Sequence, residues 1–124
     1  MKDYCFFTIY DEAYKELGDG LINSIKKFYP TSDILYFESP KKEEKYHLRT
    51  FCEYGLIKGR ELLDEYKRII YIDSDHVMCS ECPDIFEEFD MGVVQNNVPV
   101  DESYGGIKDK IYINAGLQVS TNKA

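Results

Sequence analysis

The sequence predicts an α/β domain built on a mainly parallel sheet flanked by helices. Three observations carry this expectation. Tyr4 to Tyr10 (YCFFTIY) and Ile69 to Ile72 (IIYI) are apolar with little alternation, the pattern of strands buried on both faces. Between them lie stretches whose apolar residues recur every three or four positions, the period of a helix. The 124 residues, 44% hydrophobic and 15% aromatic, suffice for one core and one domain. Strands alternating with helices imply right-handed crossovers and parallel neighbours.

The elements follow in order. After the first strand, Asp11 is a plausible N-cap for a helix whose stripe is Tyr14, Leu17, Leu21, Ile25 and Phe28. Gly18 and Gly20 loosen that helix and Pro30 closes it. Asp33 to Phe37 reads as a second strand, and Ser39 to Lys45 (SPKKEEK) as a solvated loop, the most mobile stretch by composition. A second helix runs from Leu48 to Tyr66, with Leu48, Phe51, Cys52, Gly55, Gly59, Leu62, Leu63 and Tyr66 on one face. Glycines four apart on that face predict a close approach to its neighbour, the alternative being that both merely weaken the helix. Ile69 to Ile72 is a third strand. Pro83 opens a short helical turn through Phe86, Met91 to Val94 is a fourth strand, and Ile111 to Ile113 with Leu117 and Val119 complete the sheet.

Composition removes several functions. With 23 acidic and 15 basic side chains the net charge is −8, unsuited to nucleic acid or an anionic membrane surface. No apolar run approaches the roughly 20 residues of a membrane span. The N-terminus lacks a signal peptide's apolar region and cleavage site, so a cytoplasmic chain is expected. In a reducing compartment the four cysteines are expected to be free. Cys5 and Cys52 sit in apolar patterns and read as small core residues. Cys79 and Cys82 form a lone CxxC, which is ordinary thiols unless a second pair or spaced histidines complete a zinc or redox site, and His47 and His76 lack that spacing.

In a parallel sheet ligands gather at the carboxyl ends of strands, which singles out the residues after Tyr10, after Ile72 and near Asn114. Asp73-Ser74-Asp75 is the sharpest signal. Two carboxylates one residue apart at a strand end repel each other, and a hard divalent cation such as Mg²⁺ or Mn²⁺ resolves the conflict. The alternative is a strand-end turn in which Asp73 or Asp75 bonds backbone amides. His76 could join the cation, but strand alternation sends it to the opposite face. His47 reads as an exposed helix-end residue.

The segments FTIYDEAY (7–14), YKRIIYIDSD (66–75) and YINAGL (112–117) resemble, in order, landmarks of nucleotide-sugar glycosyltransferases of the GT-A fold. The glycogenin and bacterial galactosyltransferase-like group, glycosyltransferase family 8, is the nearest likeness. The resemblance implies that Thr8, Tyr10 and Asp11 contact base and ribose and that Tyr14 stacks on uracil, although Tyr14 also fits its helix stripe. It implies that Lys58, with Arg49 in reserve, reaches donor phosphate, that Asp73 and Asp75 hold Mn²⁺ or Mg²⁺, and that Ser74 lies in the nucleotide pocket. Asn114, Ala115 and Gly116 would line the sugar and acceptor pocket, with Asp101 against sugar hydroxyls. In that family a later histidine completes the metal site, so the chain reads as the N-terminal, donor-binding portion of a transferase that is truncated at its C-terminus.

The expected activity is metal-dependent, retaining transfer from a UDP-sugar to a glycan, lipid or protein hydroxyl. Two other readings stay open. One is a non-catalytic nucleotide-sugar-binding module. The other is a haloacid-dehalogenase-like phosphatase, in which Asp73 attacks phosphate and Asp75 is acid and base. That motif normally lies near a chain's start and needs a downstream lysine and acidic pair.

Overall fold

The computed structural model describes residues 1–40, 47–95 and 113–122, and at 47–51, 94–95 and 113–115 the backbone alone. Strand β1 (Lys2–Tyr10) leads through a single 3₁₀ turn (Glu12–Tyr14) into helix α1 (Lys15–Phe28). Strand β2 (Asp33–Glu38), helix α2 (His47–Leu63) and strand β3 (Tyr66–Ile72) follow. A 3₁₀ turn (Pro83–Phe86) precedes β4 (Met91–Gln95) and β5 (Ile113–Thr121). The five strands form one sheet in the order β2-β1-β3-β5-β4. β1 is parallel to both β2 and β3, whereas β5 runs antiparallel to β3 and β4.

Successive residues of β1 serve opposite faces, which is why its sequence does not alternate. Phe6 packs with Leu21 and Ile25 of α1 and with Ile70, Ile72 and Val119. Cys5, Phe7 and Ile9 pack with Leu62 of α2 and with Ile69. Phe6 and Ile70 are fully buried, a burial that contributes about 1.5–3 kcal/mol for each such side chain.

The face that α1 buries is Gly18, Leu21, Ile22 and Ile25. Tyr14 and Leu17, expected on the buried stripe, are 48% and 50% exposed. The reason is local. Gly18 has no side chain, so α1 settles on it against Tyr10 and Ser74, and that rotation turns Leu17 outward. On α2 the close approach appears as expected: a Cβ at Gly55 would lie 3.6 Å from Ile9, and one at Gly59 would lie 3.4 Å from Ile69 and 3.5 Å from Phe7. Cys52 is exposed rather than in the core, whereas Cys5 is fully buried. The expected roles of Leu48 and Phe51 in the buried face of α2 lie outside the described side chains.

Tyr66, expected as the last helical residue, instead starts β3. It is 2% exposed and its hydroxyl donates to Asp33 at 2.8 Å, tying β3 to β2 across β1. The three strands expected after the second helix appear as β3, β4 and β5, and β5 carries an excursion. Met91, Gly92 and Val93 face Ser120, Val119 and Gln118, but Val94 faces Asn114. Ala115, Gly116 and Leu117 are therefore extra on the β5 side, a three-residue bulge opposite β4. β3 keeps its pairing through the same stretch, with Ile72 opposite Leu117.

No helix among the described residues is long and apolar enough to cross a membrane. Residues 41–46 of the solvated loop, Asp101, Ile111 and Tyr112 lie outside the described residues.

Candidate functional site

Because β5 runs against the other strands, its first residues share one rim of the sheet with the carboxyl ends of β1, β2, β3 and β4. Two backbone hydrogen bonds knit that rim together. The Ser39 amide donates to the Tyr10 carbonyl at 2.8 Å, and the Asp73 amide donates to the Gly116 carbonyl at 2.8 Å. Asp73 of the acidic motif and Gly116 of the bulge, far apart in sequence, are thus directly bonded neighbours.

β3 ends at Ile72 and the chain turns at once, the His76 amide donating to the Asp73 carbonyl at 3.1 Å. The turn ends the strand alternation that was expected to send His76 away. Its Nδ1 lies 2.9 Å from Asp75 Oδ1, and one ligand atom from each of Asp73, Asp75 and His76 falls within 4.8 Å of the others. Asp75 and His76 are exposed and Asp73 is half-buried, so the cluster opens to solvent. Its two carboxylates and an imidazole are a donor set that could hold a divalent metal ion. It is the one group of three or more His, Cys, Asp or Glu side chains with convergent ligand atoms among the described residues. The CxxC thiols, Cys79 exposed and Cys82 half-buried, have no third ligand with them among the described residues.

Neighbouring bonds fix the turn. Tyr71 donates its hydroxyl to Asp73 Oδ1 at 2.6 Å. Burial, then the bond with Asp73, raises the pKa of that phenol well above the ordinary value, so it stays a donor. Ser74, between the two carboxylates, is buried against Gly18 of α1. Beyond the turn, the Met78 amide donates to Ser24 Oγ at 2.8 Å, and Ser24 donates to the Leu21 carbonyl at 2.6 Å. The Cys82 amide donates to the Tyr29 hydroxyl at 2.8 Å. The segment after the acidic turn is strapped to α1 at two points.

The other expected site residues fall at several depths. Tyr10 ends β1 at the rim, with its ring 5.4 Å from that of Tyr36. Asp11 caps the 3₁₀ turn, accepting from the Tyr14 amide at 3.1 Å, and Tyr14 stands exposed beside it. Thr8 lies one pleat beneath the rim, 2% exposed, and its Oγ1 has no hydrogen-bond partner among the described residues. Lys58 sits on α2 with its ammonium 3.2 Å from Glu61 Oε2 and over the rings of Phe37 and Tyr54 at 5.2 and 5.4 Å. Gly116 is buried at the rim. For Asn114 and Ala115 the backbone lies in β5, and their side chains, with those of Arg49 and His47, are outside the described set. Tyr71 and Ser24 are the contributors that the pattern did not reveal. Tyr71 reads as one more apolar strand residue, and a serine on a helix carries no motif.

A hollow of about 410 Å³ opens at the other end of the sheet, lined by Asp3, Lys67, Arg68, Glu88, Asp90 and Thr121 among others. Its cations are already engaged, Lys67 with Asp3 and Arg68 with the carbonyls of Ile85 and Glu87. The chemistry therefore points to the rim.

The mixed five-stranded sheet flanked by helices matches a Rossmann-like part of the GT-A glycosyltransferase fold. Solved structures with this arrangement include the bifunctional glycosyltransferase WbbM in its apo form, with a TM-score of 0.62 and 14% identity over 98% of this chain and 32% of that one. The galactosyltransferase LgtC in complex with donor and acceptor sugar analogs matches at 0.62 and 16%, over 95% of this chain and 58% of that one. GlyE, a glycosyltransferase of Streptococcus pneumoniae TIGR4, matches at 0.61 and 16%, over 99% and 35%. At these identities the likeness is one of fold, and the chain spans about a third to three-fifths of the solved chains. No protein-family model matches it, and no curated protein matches it by sequence.

Proposed function

We propose that the chain is the donor-binding portion of a metal-dependent glycosyltransferase that moves a sugar from a UDP-sugar to a hydroxyl acceptor, with retention. The observation that carries the reading is the convergence of Asp73, Asp75 and His76 at the rim, hydrogen-bonded through the Asp73 amide to Gly116 of the Ala115–Leu117 bulge. Asp73, Asp75 and His76 would hold Mn²⁺ or Mg²⁺. A divalent ion there supplies charge neutralisation for the diphosphate as the nucleotide departs. Tyr10, Asp11, Tyr14 and Ser74 would border the nucleotide, with Thr8 beneath and Lys58 toward phosphate. Asn114, Ala115, Gly116 and Asp101 would face sugar and acceptor. Four free cysteines suit a cytoplasmic setting. The fold likeness favours transfer over a phosphatase that attacks with Asp73, an atom pair of which one oxygen already accepts from Tyr71.

Isothermal titration with UDP, with and without Mn²⁺, tests this. Binding that requires Mn²⁺ and is lost in Asp75→Asn is expected. Binding indifferent to both would overturn the reading, and covalent labelling of Asp73 by a phosphate mimic would replace it with the phosphatase.

A further inference from the structure

β3 carries two tyrosines whose hydroxyls each donate to a carboxylate, one at either end of the strand. At the start, Tyr66 bonds Asp33 Oδ2 at 2.8 Å, and at the finish Tyr71 bonds Asp73 Oδ1 at 2.6 Å. The first pair lies at the far end of the sheet from the rim. The second pair includes a member of the acidic cluster. Asp73 is the first residue past β3, and the turn that starts there holds its carboxylate beside the Tyr71 ring, within reach of the hydroxyl. The Tyr71 ring is itself fixed, 5.2 Å from that of Phe7 and packed against the core under α2.

We propose that Tyr71 is a positioning residue for the cation site, using its hydroxyl to engage one oxygen of Asp73 and leave the other as the ligand. The inference rests on the metal reading above. Its physical content is threefold. A carboxylate with one oxygen committed to a fixed donor loses rotational freedom before the ion arrives, so less order has to be imposed on binding. The donated hydrogen bond also draws negative charge toward one oxygen of Asp73, which would ease the repulsion between Asp73 and Asp75 in the metal-free chain. And Asp73 is restricted to one-oxygen ligation, which suits a small ion of strict octahedral demand such as Mg²⁺ or Mn²⁺ over Ca²⁺, which accepts two-oxygen carboxylates.

The matched tyrosines supply their own control. Tyr71→Phe and Tyr66→Phe each remove one hydroxyl from the same strand and keep the ring. Mn²⁺ uptake by the 124-residue chain is followed by the loss of the free-ion electron paramagnetic resonance signal, and folding by urea unfolding without metal. Tyr71→Phe is expected to weaken Mn²⁺ binding by roughly 10- to 100-fold, the usual effect of removing a group that orients a metal ligand. It should also narrow the preference for Mn²⁺ over Ca²⁺. Tyr66→Phe is expected to lower the urea midpoint and leave Mn²⁺ affinity within about twofold. Wild-type chain that takes up no Mn²⁺ overturns the metal reading and this inference with it. Wild type that binds, with Tyr71→Phe binding equally well, overturns the inference alone. Equal loss of Mn²⁺ affinity in both variants overturns it too, since general loosening of β3 then explains the effect.

Discussion

Gly18 seats α1 against Ser74 of the acidic turn, and filling it probes how that turn is supported. A Cβ built there lies 3.7 Å from Tyr10 Cβ, 3.8 Å from Ser74 Cβ and 3.8 Å from Tyr10 Cδ1. These are ordinary van der Waals separations, so a methyl group fits without displacing either neighbour. Replacing an interior helical glycine with alanine gains about 1 kcal/mol in helix propensity. Burying the methyl adds up to about 0.8 kcal/mol. Gly18→Ala should therefore stabilise the chain by about 1–2 kcal/mol and leave Mn²⁺ uptake unchanged. Gly18→Val adds two branches beyond a contact that is already closed, and overpacking of this kind costs about 1–3 kcal/mol. Because Ser74 stands between the two carboxylates, the branches should also disturb the turn and weaken Mn²⁺ binding. The assay is urea unfolding with the slope checked for constancy, alongside Mn²⁺ uptake. A Gly18→Ala chain less stable than wild type by 1 kcal/mol or more, or a Gly18→Val chain with wild-type stability and affinity, would refute the packing argument.

Three other outcomes are expected. Thr8→Val removes a buried hydroxyl that has no partner among the described residues and should raise stability by about 1 kcal/mol, measured by urea midpoint; a loss of UDP affinity in the same variant would show that the hydroxyl serves the nucleotide. Ser24→Ala leaves the Met78 amide unpaired and should cost about 1–3 kcal/mol, with faster proteolysis between the acidic turn and Pro83 as the local signature. Burial pushes the Cys5 thiol up from 9.0 to about 12, with the nearby Asp33 adding to it. The folded state then holds the proton more tightly, so this contribution is complete below pH 9 and fades as pH rises toward 12, a loss on the order of 4 kcal/mol. Tyr66 and Tyr71, whose phenols are raised by burial and by their carboxylate partners, act in the same direction. Cys5→Ala should flatten the alkaline fall of the urea midpoint only in part, and iodoacetamide at neutral pH should label Cys52 and Cys79 and spare Cys5.

The parts of the fold that could be read from residues were those where one physical signal dominates. The unalternating runs of β1 and β3 could be nothing but strands covered on both sides, and Gly55 and Gly59 announced the close seat of α2. The misjudged parts depend on neighbours distant in sequence. Leu17 or Gly18 could each have led the buried face of α1 by periodicity, and what decided it was the Tyr10 and Ser74 surface waiting beneath. Tyr66 continues the helical spacing of α2, yet its hydroxyl finds Asp33, 33 residues earlier, and the strand wins. The acidic pair was legible as a motif. Its partner His76 was not, because the turn that brings it round is set by the bond from its own amide to Asp73. Likewise the bulge at Ala115–Leu117 exists only because β5 must match β3 and β4 at once, a constraint no single segment carries.

The placement of β5 has a consequence for assembly. It follows β4 in the sequence, yet it lies second from one border of the sheet, and among the described strands β4 joins the rest through it. During synthesis the first three strands can associate as soon as they emerge, while the place of β4 in this sheet is set when β5 inserts between it and β3. Deleting Ile113–Thr121 would thus detach β4 as well, bare the flank of Ile70 and Ile72, and strip the Asp73 amide of its acceptor.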